Sequence, residues 1–145
     1  MLPWGAGFEY TEVGPYVDCD SKQGALDFMA DFIRQNPDRK RYRFVLERKF
    51  LHEDDITKED LDAICPDGEI VIMEGEAHSV WASSKVLEQH GITDDTPDPI
   101  PGLSYYVREG GHVTGNVFEA AAEMPFLLDE ALDLSNEQLD TALLR

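Results

Sequence analysis

Four histidines (His52, His78, His90 and His112) and two cysteines (Cys19 and Cys65) are the side chains best suited to bind a metal or move a proton near neutral pH. None of them falls at HxH or HxxxH spacing, and no His/Cys couple has the spacing of a self-contained zinc site. Cys65 and His78 form the nearest thing to a nucleophile and its base, but no orienting partner is in view beside them. The sequence contains neither GxGxxG nor a P-loop, and Gly110-Gly111 reads as a hairpin turn and not as a phosphate cradle. Read from its own residues, the chain carries no complete catalytic constellation.

His78 has the most informative surroundings. It lies in GEAHSVWASSKVLEQHG, Gly75 to Gly91, directly after the β-rich run EIVIM. The spacing of Val80, Trp81, Ser84, Leu87 and Gln89 predicts a helix beginning right after the histidine, and Gly91 is placed to end it in a left-handed residue. His78 would then sit on a turn between a strand and a helix, a common address for a functional group. The competing structural reading is that it caps the helix or fills a polar gap.

The remaining elements form the frame for that turn. Residues 1–20 read as loop, with one extended piece near Tyr16–Cys19. Ser21 can cap a helix over 22–35 with Ala25, Leu26, Phe28, Met29, Phe32 and Ile33 on one face, stopped before Asn36-Pro37. The basic knot Asp38-Arg39-Lys40-Arg41 is expected to be a loop paired with neighbouring carboxylates. YRFVLERKF, residues 42–50, alternates as a strand with one wet face. Thr57 opens a short helix ending near Cys65-Pro66, with Leu61 and Ile64 inward. Ile70–Met73 is a strand, the proline-rich TDDTPDPIPG is irregular, and LSYYVREGGHVTGNVFEA is a hairpin about Glu109-Gly110-Gly111. Ala120 to Met124 makes a helical turn, and Ser135 with Gln138 forms the capping box of a last helix. These elements predict a single α+β unit over residues 1–145, a small mixed or antiparallel sheet with helices packed on it.

Composition narrows the partners. At 145 residues with a net charge of −18, counterion release opposes binding to a phosphate backbone, so nucleic acid is not expected. No run approaches the ~20 apolar residues that span a bilayer. The start MLPWGAGFEY has no signal-peptide pattern, and two distant cysteines suit free thiols in a cytoplasmic protein.

Residues 57–119 carry an ordered set of motifs: Leu61-Asp62-Ala63, Pro66-Asp67, His78, Trp81 with Ser84, Leu87, Gly91-Ile92-Thr93, Thr96-Pro97-Asp98-Pro99, then Thr114-Gly115 and Glu119. This succession resembles the YtcJ-like branch of the metal-dependent amidohydrolases, whereas residues 1–56 match only by layout. Where those enzymes have Trp-x-Asn-Ser and Ala-Leu, this chain has Ser83 and Val86-Leu87. A hydroxyl at position 83 has one donor where an amide has two.

The resemblance implies an excerpt of a larger enzyme, a metal-bearing (β/α)8 barrel whose HxH pair lies upstream and whose other ligands lie downstream. Its metal would be zinc or another divalent ion, with none held in this segment. Its reaction would be hydrolysis of amide-type, non-peptide C–N bonds. This chain would be the insert after the first barrel strand, lying over the barrel mouth and inert alone. Its partners would be the remainder of the barrel and a small-molecule substrate, and a homo-oligomer is compatible with it. His78 would face the substrate, with Glu119, Trp81 and Ser83 as further candidate contacts. Each has a structural counterpart reading: Glu119 as a carboxylate suited to a helix N-terminus, Trp81 as core. A rival from another class is a non-catalytic acidic binding or inhibitory module imitating a polyanion. The scatter of acidic residues and the ordered motif over 61–99 both favour the hydrolase segment.

Overall fold

Ser21 turns an extended segment into a helix by accepting a hydrogen bond from the Gly24 amide at 3.1 Å. Such local signals set most of the elements in the computed structural model, which describes residues 16–47, 49, 55–76, 78–119 and 121–126. In chain order they are β1 (Tyr16–Val17), α1 (Lys22–Gln35), β2 (Arg41–Leu46), α2 (Lys58–Ile64), β3 (Glu69–Glu74), β4 (Ser79–Ala82), α3 (Ser84–Gln89), β5 (Tyr105–Glu109) and β6 (His112–Phe118). A short helix over 121–126, α4, follows. The strand expected over 42–50 ends at Leu46, with Glu47 and Lys49 already beyond it. The expected loop at residues 1–15 and the last helix with Ser135 and Gln138 lie outside the described residues.

The six strands form one mixed sheet in the order β1-β2-β3-β4-β6-β5. β1, β2 and β3 run parallel, joined through α1 and α2, and the other neighbours are antiparallel. The central strands are buried on both faces, as the apolar run EIVIM requires. Phe44, Ile70, Ile72 and Trp81 pack with Leu26, Met29 and Leu61 of α1 and α2. Val71, Val80, Ala82 and Val117 form a second core with Val86, Leu87, Ala122 and Phe126. The α+β expectation holds, with a mixed six-stranded sheet.

One expectation fails. The helix predicted to begin after His78 covers only Ser84–Gln89, and Ser79–Ala82 is a strand. β4 pairs with β3 through Val71↔Ala82, Ile72↔Trp81 and Met73↔Val80. All four of its residues are buried, and strand alternation sends Trp81 to one core and Val80 and Ala82 to the other. So short a buried stretch satisfies either period, and the sheet's demand for a partner beside β3 decides in favour of strand. His78 therefore lies on a hairpin turn between β3 and β4.

The ends of α2 and α3 follow the expected rules. Thr57 and Asp60 make a reciprocal capping box on α2. α3 ends in a Schellman motif: Gly91 has φ +69°, and the Ile92 and Gly91 amides donate to the Leu87 and Glu88 carbonyls. The hairpin from β5 to β6 turns through Gly110 and Gly111, both at positive φ, as a two-residue turn of this type demands. Arg41 lies at the start of β2 and pairs with Glu69 at 3.0 Å. No helix among the described residues is long and apolar enough to cross a membrane.

Candidate functional site

Two of the four candidate residues meet. Ser79 pairs with Phe118 in the β4–β6 ladder, which places His78 opposite Glu119 one step past its end. The Glu119 amide donates to the His78 carbonyl at 2.9 Å, and the Glu119 carboxylate lies 3.1 Å from the imidazole Nδ1. Both side chains remain open, His78 at 55% and Glu119 at 38% exposure. A ring held at Nδ1 by a carboxylate presents Nε2 outward, where it can contact a ligand.

The backbone at Glu119 is in the left-handed region, φ +66°, which a residue with a Cβ adopts only when its surroundings enforce it. Here three sets of bonds enforce it. Its amide is tied to His78, its carbonyl accepts from the Glu123 amide at 3.1 Å, and Ser104 Oγ lies 3.1 Å from the same carbonyl. Ser104 Oγ also accepts from the Ala122 amide at 2.8 Å, so one buried hydroxyl joins the end of β6 to the start of α4.

Trp81 and Ser83 lie elsewhere. Trp81 is 1% exposed, and its Nε1 donates to Asp55 Oδ1 at 2.9 Å. Ser83 is fully buried; its Oγ donates to the Gly68 carbonyl at 2.8 Å and accepts from the Ile70 amide at 3.1 Å. That hydroxyl ties the strand-to-helix corner to the start of β3. Although Ser83 is the N-cap position of α3, its side chain does not cap; Asp62 of α2 takes that role, accepting from the Ser84 amide at 3.0 Å. Cys65 and His78 sit at opposite ends of β3, and burial pushes the Cys65 thiol up.

A fifth residue belongs to this end of the sheet and went unread in the sequence. Glu123 of α4 is 4% exposed, while its neighbour Met124 is 46% exposed. Burial pushes its carboxyl up to about 7, with Glu119 and then Glu74 raising it further and His78 opposing them. A signal did exist in FEAAAEMPF: Glu123 stands between Ala122 and Phe126, both at core spacing on a helix. Among the described residues no three His, Cys, Asp or Glu side chains come together as a metal-binding group.

The family model described as "Amidohydrolase family" matches residues 13–144, extending the likeness well upstream of the motifs at 57–119. The chain is 32% identical over 98 residues to YtcJ of Bacillus subtilis (strain 168), covering 67% of this chain and 18% of that protein. It is 38% identical over 66 residues to the exoenzymes regulatory protein AepA of Pectobacterium carotovorum subsp. carotovorum, covering 45% of this chain and 14% of that one. The chain thus spans less than a fifth of the length of either relative. Its fold is similar to part of the crystal structure of an uncharacterized metal-dependent hydrolase from Pyrococcus horikoshii OT3. The TM-score is 0.58 at 17% identity, over 95% of this chain and 24% of that one.

Proposed function

The chain belongs to the amidohydrolase family, and on that premise we propose that it is the substrate-covering segment of a larger hydrolase acting on amide-type, non-peptide C–N bonds. The observation that carries this reading is the His78–Glu119 pair: two polar side chains, bonded to each other and open to solvent, on a backbone held in a costly conformation. The pair stands at the carboxyl end of β3, the side on which α/β folds place their sites. The parallel run β1–α1–β2–α2–β3 supports an excerpt of a (β/α)8 barrel, since it repeats the unit from which such barrels are made.

A divalent metal, zinc or another, would be held by the remainder of the parent protein, where it would activate water. In support of this, no three His, Cys, Asp or Glu side chains gather among the described residues to hold it by themselves. Their part is to bind and orient: the outward imidazole nitrogen of His78 meets a polar group of the substrate, and Glu119 fixes the ring. Trp81 and Ser83 hold the strand and the corner behind them. The isolated chain is expected to be inert.

The test is His78→Ala in a full-length parent. kcat/KM should fall while bound metal stays unchanged, because the ligands lie elsewhere. In the isolated chain the same change should cost within about 0.5 kcal/mol, since exposed ion pairs contribute little. Unaltered kinetics in a normally folded parent would make His78 a turn residue without a substrate role.

A further inference from the structure

Helix α4 is built with its polarity inverted at one place: it buries Glu123 and exposes Met124. The Glu123 Oε1 atom is buried with no hydrogen-bond partner among the described residues, an arrangement that costs free energy and calls for a reason. The neighbouring bonds provide none, because the helix start is already secured by Ser104 Oγ and by the Glu123 amide itself.

We propose that Glu123 is a positioning residue of the His78–Glu119 site, standing one helical turn behind Glu119, and that its carboxyl sets the charge which the pair presents to a substrate. This rests on the reading of His78 and Glu119 as substrate contacts. Among the described residues, the ionisable groups that act on Glu123 are Glu119 at its own helix start, Glu74 at the end of β3 and His78 on the hairpin turn. Two of these are carboxylates and the third is the only one able to carry positive charge. A proton on Glu123 therefore removes one negative charge from a cluster of three carboxyls. With a carboxyl that titrates at about 7, the proton exchanges near neutrality and responds to whatever occupies the site. A ligand bringing positive charge to Glu119, such as a protonated amine, favours its release. A ligand bringing negative charge favours its retention. The arrangement gives the segment a selectivity for the charge of its ligand without any direct contact from Glu123.

Coupling between groups is reciprocal, so Glu123 itself can report it without any turnover. Glutamate labelled with 13C at the side-chain carboxyl is introduced into the 145-residue chain, and Glu123→Gln identifies the resonance by its loss. Its titration is then followed in the wild type, in Glu119→Gln and in His78→Ala, with amide spectra confirming that each protein is folded. The expected midpoint is about 7 in the wild type, lower in Glu119→Gln and higher in His78→Ala. A wild-type midpoint in the ordinary carboxylate range, or one midpoint common to all three proteins, would overturn the proposal. His78→Ala lies on an exposed turn and decides the matter even if Glu119→Gln does not fold. Kinetics unaffected by His78→Ala in the parent would remove the substrate role and leave this coupling intact, so the two failures are separate.

Discussion

Glu119 is bound to His78 twice, through its amide to the His78 carbonyl at 2.9 Å and through its carboxylate to the imidazole Nδ1 at 3.1 Å. The first bond extends the β4–β6 register by one residue, and the second turns that register into a chemical pair. The backbone arrangement and the side-chain pair are separable. A left-handed backbone is the cost of the first, and solvent exposure makes the second a weak source of stability.

Glu119→Gly and Glu119→Val separate them by experiment. Glycine adopts φ +66° without penalty, so Glu119→Gly should fold at least as stably as the wild type while losing the carboxylate. Valine carries a branched Cβ into the same conformation and should destabilise by more than about 1 kcal/mol. Urea denaturation of the two variants measures this. Equal stabilities would mean that the turn relaxes to another backbone conformation and that no strain is held at Glu119.

Ser83 ties the strand-to-helix corner to the start of β3 through one side chain. Its single hydroxyl donates to Gly68 and accepts from Ile70 in a fully buried position. An asparagine amide has both a donor and an acceptor and can make the same two kinds of bond. Ser83→Ala strands a carbonyl and an amide and is expected to cost about 1–3 kcal/mol. Ser83→Asn should fall nearer the wild type than the alanine variant does. An alanine variant as stable as the wild type in chemical denaturation would rule out this role for the hydroxyl.

Much of the frame was legible because its signals are local. Ser21, Thr57 with Asp60, Gly91 and Gly110-Gly111 each satisfy a backbone requirement within a few residues, and each stands where the sequence indicates. β4 was not legible. Val80, Trp81, Ser84 and Leu87 fit a helical face, and only the distant pairing with β3 and β6 makes Ser79–Ala82 a strand. The same long-range pairing hides the site: His78 and Glu119 are separated by 41 residues, and nothing in their spacing indicates that they touch. Glu123 was obscured for a different reason, since an acid in an alanine-rich helix reads as a solvated face until the sheet beneath it is known.

Arg108 closes the proline-rich segment onto the edge strand β5. Its guanidinium donates to the Asp94 carbonyl at 3.2 Å, to Asp98 Oδ1 at 2.8 Å and to the Tyr106 carbonyl at 3.3 Å, and also to the Thr96 carbonyl. That hydrogen bond to Asp98 is the main reason the Asp98 carboxyl is held below its usual range. A lysine is a point charge on a flexible stem and cannot reproduce this fork. Arg108→Lys is expected to cost about 1–3 kcal/mol and to raise amide hydrogen exchange over 93–99 before the rest of the sheet. Unchanged exchange in that segment would show that the prolines hold it without the arginine.

Glu123 predicts how stability depends on pH, and the sign follows from the direction in which burial moves its carboxyl. That carboxyl is raised from 4.5 to about 7 in the folded chain, so between those values the folded state holds a proton that the unfolded state has released. Folding stability from this group is fully present below the unfolded value, declines as pH rises, and is lost once pH passes about 7. The full change is of order 3 kcal/mol, because each tenfold difference in proton affinity between the folded and unfolded chain is worth ~1.4 kcal/mol. Glu123→Gln keeps the shape and removes the titration. The variant should therefore gain stability relative to the wild type as pH rises from mildly acid to mildly alkaline, levelling off above the folded midpoint. Asp60, Asp94 and Asp98 are shifted downward and act in the opposite sense, losing stability as pH falls. They are common to both proteins and cancel in the difference. Urea denaturation of the pair across this range is the measurement. A difference that does not change with pH would mean that the buried carboxyl ionises freely in the folded chain.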